Sequence, residues 1–369
     1  MSEENKKYDA ILVDTSIFDA NGLRLEKGLL SKLSQFKKSP IDLIFPDVIK
    51  KEIQSHLHDK IKISRNALEK AFNDAGDHLF FEGSALNDAK SILIDSKEVD
   101  SLAESRINKF IEETNALAIE CGSFVSVTAL LDQYFSNKPP FAETGKKKNE
   151  FPDAIILLAV ENWAEQNNKN ILAIAKDNDW KSYCSSSKRI DCIDDLSEGL
   201  ALFNADNAPY AFLANLEKAI QEEKAQDFLK SIESCLSSEI EWLTPDQDAE
   251  SYLYWEPDGI SIRFKEFYLQ EDEFKIIEAD EDYIVLETNV LIEVEAEGEF
   301  SLSAHDSIDN DYVSIGSVSA STEASFESNI LITIVGDLNG DIENLDVDRV
   351  EIVSPIRSID FGTIEPDFE

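Results

Sequence analysis

The sequence predicts an α/β protein: a central parallel sheet flanked by helices, followed by a helical linker and an acidic antiparallel β domain. Three observations predict it. Short apolar runs, Tyr8–Val13, Leu43–Phe45 and Ile171–Ala175, alternate with helical stretches, as in βα units whose strands are buried on both faces. Between Phe151 and Asn167, Ile155, Ile156, Leu158, Ala159 and Trp163 recur at helical spacing. Beyond Glu241 the pattern changes to period two, as in Ile260–Phe264, Leu291–Glu295, Ile330–Val335 and Val350–Val353, which reads as antiparallel strands.

Taken in order, residues up to about Lys7 form a polar tail and Tyr8–Val13 the first strand. Gly22–Phe36 reads as a helix with Leu23, Leu25, Leu29, Leu30 and Leu33 on its apolar face. Ile41–Phe45 is a second strand. Pro46 opens a helix with Val48, Ile49, Ile53 and Leu57 on one side and Glu52 on its flank. A polar helical insertion follows, covering about 58–120. Gly122–Thr128 fits either loop or strand, Leu130–Phe135 a helix, and Asn137–Asn149 a loop by its Pro, Gly and charge content. Pro152 and Asp153 suit a first helical turn, where a missing N–H costs nothing and an acid meets the positive helix end. Asn167 and Asn168 end that helix. Ser182–Lys188 reads as a loop, Arg189–Ile193 as the last strand of the sheet and Leu196–Phe203 as a closing helix. This gives a first domain over 7–206, a helical linker over 207–240 and a β-rich domain over 241–369.

The net charge is −41, and it is unevenly spread. Up to Asp206 there are 26 basic and 35 acidic residues, and after it 8 and 40, so the parts carry −9 and −32. A basic footprint, the usual mark of a nucleic-acid binder, is missing from the chain as a whole. The acidic half fits a docking surface for a basic protein partner, a polyanion covering a nucleic-acid site, or a solubilising surface. No apolar run approaches the ~18 residues of a membrane span, and the start of the chain shows no apolar leader. Cys121, Cys184, Cys192 and Cys235 form no CxxC pair and read as reduced cytoplasmic thiols.

The acids carry the chemistry. Asp14 follows the first strand, Glu52 lies on the helix after the second, Asp153 opens a helix, and Asp177 and Asp179 follow the strand Ile171–Ala175. In open α/β sheets ligands bind at the carboxyl ends of the strands, so these acids can converge there. Carboxylates are hard oxygen donors that suit Mg2+ or Mn2+. Gathering several is costly unless a cation neutralises them. His56 and His58 stand two apart, point different ways on a helix and read as surface residues. Asp337, Asn339, Asp341 and Glu343 only faintly fit a calcium loop, with Ile342 where glycine is needed. GxGxxG and GxxxxGK[ST] are both missing.

Four segments, Asp14-Thr15-Ser16 after an apolar strand, VIKKEI ending at Ile53, FPDAIILLA from Phe151 and AIAKDNDW ending at Trp180, together resemble the PIN-domain nuclease family. The likeness is to its bacterial branch with a long helical insertion and a Lys-rich lead into the third acid. It covers Lys7–Asn204, the insertion in kind only. The resemblance implies a PIN-like sheet and a metal-dependent nuclease, an endoribonuclease of toxin, defence or RNA-processing type, with RNA as substrate. It implies Mg2+ or Mn2+ held by Asp14, Glu52, Asp153 and Asp177 with Asp179 assisting; which of Asp177 and Asp179 is the fourth ligand stays open. Thr15 or Ser16 would hydrogen-bond a ligand carboxylate or the scissile phosphate. Lys146, Lys147, Lys148 and Lys176 would meet substrate phosphates. The competing reading is a non-catalytic module of the same fold that binds a protein partner through its acidic β domain; oligomeric state is open.

Overall fold

Five short parallel strands make the sheet on which the first half of the chain is built, in the order β3-β2-β1-β4-β5. The computed structural model describes residues 7–79, 85–94, 98–141, 150–204, 210–270, 273–280, 282–306, 311–336 and 346–366. Two units divide at Gly199 and Leu200. In the first, β1 (Ala10–Val13) leads through α1 (Thr15–Ala20), α2 (Gly28–Ser31) and a 3-10 segment (Lys32–Lys38) to β2 (Asp42–Pro46). The helices α3 (Asp47–His78), α4 (Ala85–Leu93) and α5 (Val99–Thr114) precede β3 (Leu117–Ile119). Then come α6 (Val127–Phe135), α7 (Phe151–Asn167), β4 (Ile171–Ile174), α8 (Asn178–Cys184), β5 (Ile190–Ile193) and α9 (Leu196–Asn204), which runs past the division.

β1 and β4 are buried along their whole length, as continuous apolar runs between two helical layers must be. Each such side chain contributes about 1.5–3 kcal/mol of transfer free energy. On α3 the stripe Ile49, Ile53 and Leu57 is buried, which fixes the helix against the sheet and sets Glu52 beside the stripe. Phe18, Phe45 and Phe110 meet at centroid distances of 5.8–6.3 Å and pin α1, β2 and α5 together. α7 is apolar almost all round. Ala154, Ile156, Leu157, Ala159, Val160, Trp163 and Ala164 are buried, while Ile155 and Leu158 pack toward Leu130 and Phe141.

Several elements differ from the sequence reading. The helix expected over Gly22–Phe36 is a run of turns, one turn of α-helix and a 3-10 segment, because Gly22, Leu23 and Gly28 all sit at positive φ (56–65°), which a helix cannot contain. The loop expected over Ser182–Lys188 begins inside α8. β3 escaped notice because it is three residues long and half exposed.

In the second unit, α10 (Tyr210–Gln221) and α11 (Gln226–Ile240) are part of a hydrophobic core rather than a linker. Phe212, Leu216, Phe228, Ile232, Leu236 and Ile240 share that core with Ile292, Val294, Phe300 and Ile332 of the sheet. The strands are β6 (Asp246–Glu250), β7 (Tyr254–Leu269), β8 (Lys275–Ala279), β9 (Tyr283–Asp306), β10 (Asp311–Val335), β11 (Asp346–Ile352) and β12 (Ser358–Thr363). The main sheet is antiparallel in the order β11-β10-β9-β7, with β8 also on β9, while β6 and β12 form a separate parallel pair. Residues 205–209, at the expected boundary, and 337–345, with the calcium-like segment, lie outside the described residues. Among the described residues no helix is long and apolar enough to cross a membrane.

Gly298 marks where the tip of the Phe361 ring comes close to β9. A Cβ there would stand 2.6 Å from Gln247 Nε2 and 2.8 Å from the Phe361 ring. Gly298→Val is therefore expected to push Phe361 off the sheet and cost about 1–3 kcal/mol. Denaturant unfolding should show this as a lower midpoint with an unchanged slope.

Candidate active site

The strand order reverses between β1 and β4: the chain builds outward from β1 through β2 to β3, then returns to β4 on the other side of β1. Such a reversal leaves a crevice at the carboxyl ends of the two central strands. Asp14 follows β1 there, and Asp177 follows β4. The Asp14 N–H donates to the Ile174 carbonyl over 2.9 Å, which locks the end of β1 to the end of β4.

Four of the acids, Asp14, Glu52, Asp153 and Asp177, are each held by a hydrogen bond to the carboxylate. Asp14 is the N-cap of α1: its Oδ2 accepts from the Ser16 N–H at 3.0 Å and from the Ser16 hydroxyl. The same hydroxyl oxygen accepts from the Lys176 N–H at 3.3 Å, tying the first strand end to the fourth. Thr15 Oγ1 donates to Glu52 Oε2 over 2.7 Å, so the residue after the first acid orients the second. Trp180 Nε1 donates to Asp153 Oδ1 over 2.9 Å. Asp177 is the N-cap of α8 and accepts from the Asp179 N–H at 2.7 Å. Capping satisfies helix donors that would otherwise be orphaned, typically worth about 1 kcal/mol.

The acids share one electrostatic field. Burial raises the Asp153 carboxyl to about 7, and the Trp180 donor opposes this, while the charges of Asp14, Asp177 and Glu52 add to it. Asp14, only 5% exposed, is also raised by burial, against the pull of the Ser16 and Thr15 donors, with Glu52 adding repulsion. Asp179 is raised by burial and then by Asp177 and Glu150. Asp153 is therefore within the field of Asp14, Glu52 and Asp177, whereas Asp179 is within that of Asp177 and Glu150. Among the described residues no three His, Cys, Asp or Glu groups are disposed as a ready ligand shell for a metal ion. Both statements hold together, because Coulomb repulsion acts over a longer range than ligation distance.

Lys176 is exposed at the end of β4, and its charge helps hold the Asp194 carboxyl below the usual range after the larger effect of Lys181. Lys146, Lys147 and Lys148 lie outside the described residues. His56 is bonded to Asp19 at 2.9 Å and His58 to Asp100 at 2.6 Å, so each is a hydrogen-bonded residue outside the acid cluster. Trp180 and Glu150 were not picked out by the sequence as site residues. Trp180 sits three residues past Asp177, a spacing that puts it one helical turn from the cap, and that was the signal available.

With that geometry in place, comparison with known proteins adds one finding: residues 11–180 match a family model described as a PIN domain. No curated protein and no solved structure matches the chain.

The raised Asp153 carboxyl has a consequence for stability. A carboxyl whose folded pKa lies above its unfolded value of about 3.9 costs the fold nothing below that value. The cost grows as pH rises and is complete above about 7. Asp153→Asn keeps an acceptor for Trp180 and removes the charge. In metal-free buffer it is expected to raise the melting temperature at pH 8 by about 2–6 °C. The gap should close as pH falls to 4. A gap that is the same at both pH values would rule out the electrostatic account.

Proposed function

Starting from a first unit that carries a PIN domain, a family of nucleases, we propose that the protein is a metal-dependent endoribonuclease of toxin, defence or RNA-processing type. The observation that carries this reading is the Asp153 carboxyl, pushed up to about 7 by burial and by the negative field of Asp14, Asp177 and Glu52. Residues that repel one another in a half-buried crevice are the donor set that a hard divalent cation relieves. Asp14, Glu52, Asp153 and Asp177 would hold Mg2+ or Mn2+, with Asp179 assisting. Bound there, the ion supplies a water of lowered pKa and stabilises charge on the reacting phosphate.

The chain's own residues prepare that chemistry. Ser16 and Thr15 fix the directions of the Asp14 and Glu52 carboxylates, leaving less to reorganise when a ligand arrives. Trp180 holds Asp153 from the apolar side of α8 and helps exclude water. Lys176, exposed beside the strand ends, and Lys146, Lys147 and Lys148, which precede Asp153 in the sequence, would meet backbone phosphates of the RNA as point charges. No side-chain nucleophile is required, because the attacking group is water. The four cysteines are not joined by disulfides, which supports a reducing, cytoplasmic location.

For the second unit we propose docking of a basic protein partner. Its support is the skew of 8 basic to 40 acidic residues after Asp206. Glu293, Glu295, Glu297 and Glu299 also stand in one outward row on β9, whose opposite face buries Ile292, Val294, Ala296 and Phe300. That row repeats about every 6.8 Å, the two-residue period of a strand, and matches an extended peptide with alternating cations. Changing the four to glutamine is expected to lower affinity for an alternating Lys-Ser peptide and flatten its salt dependence; unchanged binding would remove the proposal.

The catalytic reading is tested by incubating single-stranded RNA, tRNA and DNA with the protein in Mn2+ or in EDTA. Cleavage of RNA is expected in Mn2+ alone. Asp14→Asn and Asp153→Asn should each reduce it by at least about 100-fold, since even groups that merely support metal ligands cost 10–100-fold. Equal cleavage by wild type and both variants would assign the activity to a contaminant.

A further inference from the structure

A cleft of about 460 Å3 opens within the helical insertion, between α3, α5, Ile94 and the turn that follows α1. Four cations line it, Arg24, Lys60, Arg65 and Arg106, and among the described residues no carboxylate does. That lining runs against the composition of a chain with 75 acidic and 34 basic residues. Its walls are apolar, with Leu57, Ile61 and Leu102 among them. Lys60, Ile61, Ser64 and Arg65 fall one turn apart on α3, so one helix face presents charge, hydroxyl and hydrocarbon together.

The arginines are held in place. Arg106 donates from Nε and from a terminal nitrogen to the Glu26 carboxylate at 2.8 and 2.6 Å, and to the Leu23 carbonyl at 3.4 Å. Arg65 donates to the Ile94 carbonyl, and Arg24 Nε to the Asn21 carbonyl at 3.3 Å. Lys60 is exposed and has no hydrogen-bond or ion-pair partner among the described residues. Pre-positioned cations lower the ordering cost of binding. The Arg106 fork is taken up by Glu26, so Lys60 is the cation best placed to meet a phosphate, with the guanidinium groups adding positive field around it, and the volume lies in the range of about 300–1,000 Å3 typical of small-molecule sites.

We propose that this cleft binds a nucleotide-sized organic phosphate, with the phosphate on the cationic side chains and the body against Leu57, Ile61 and Leu102. The shared chemistry has two sources, a free nucleotide or the 5′-phosphorylated end of an RNA strand. The site uses none of the carboxylates at the sheet edge, so it stands or falls independently of the nuclease reading.

The test is calorimetric titration of the full chain in EDTA with AMP, ADP, a 5′-phosphorylated RNA hexamer and inorganic phosphate. One-to-one binding is expected for at least one of the first three, with Kd below about 100 μM, and at least about tenfold weaker binding of inorganic phosphate. A preference for AMP or ADP marks the free nucleotide as the source, and a preference for the hexamer marks the strand end. Lys60→Glu and Ser64→Glu change exposed side chains, so the fold should persist, and each is expected to weaken binding at least about tenfold. Kd above about 1 mM for every probe, inorganic phosphate binding as tightly as nucleotide, or affinity unmoved by both variants would each overturn the proposal.

Discussion

The repulsion among carboxylates at the carboxyl edge of one parallel sheet is the constraint on which the first unit turns. Burial, with the charges of Asp14, Asp177 and Glu52 added to it, raises the Asp153 carboxyl above its ordinary value. Shifted groups of this kind cluster at functional sites. The surrounding bonds show how the cost is contained. Ser16 and Thr15 donate to Asp14 and Glu52, α8 donates to Asp177, and Trp180 donates to Asp153, so each carboxylate has at least one positive dipole aimed at it. A buried carboxylate without such a donor would protonate or force the strand ends apart.

The same region ties together the ends of two short parallel strands. β1 and β4 are four residues each, and their ends are tied by the Asp14–Ile174 backbone bond and by Ser16 reaching Lys176. A slip of one residue between β1 and β4 would move Asp14 away from the crevice and turn Ile11 and Val13 through the sheet. The apolar runs therefore hold the acids in register, and the energy that fixes the site is hydrophobic although the site is ionic.

Much of this was legible in the sequence. An apolar run followed by an acid identifies a parallel strand and its carboxyl end together, which is why the positions of Asp14 and Asp177 after β1 and β4 could be read directly. Glu52 and Asp153 needed the helix starts at Pro46 and Pro152. The pairing of Thr15 with Glu52 and of Trp180 with Asp153 was not legible, because both join residues 27 or 37 apart through tertiary packing. Turn chemistry hid the true form of Gly22–Phe36: five leucines give a helical stripe, but backbone at positive φ decides the structure. The helices over 210–240 looked acidic and linker-like because burial of Leu216, Ile232, Leu236 and Ile240 occupies only one face.

The insertion obeys different physics from the sheet. α3 is anchored through Leu57 and then continues to His78 with its remaining apolar positions only partly covered, and α4 has no buried residue. Ile63, Leu79, Ile92 and Leu93 are each at least 60% exposed. Few buried apolar contacts mean a low free energy of local opening, well below that of the central strands. The anchored part is held by Ala103, Ile107 and Phe110 of α5, and it is at that junction of firm and loosely packed helix that Arg24, Lys60, Arg65 and Arg106 gather. A phosphate bound there as proposed would favour the ordered arm over the opened one. A ligand that binds only the ordered form at 100 times its Kd adds about 2.7 kcal/mol to that form. An increment of that size is small beside the burial energy of β1 and β4, so a ligand bound in the cleft as proposed would act on the arm and leave the sheet unchanged.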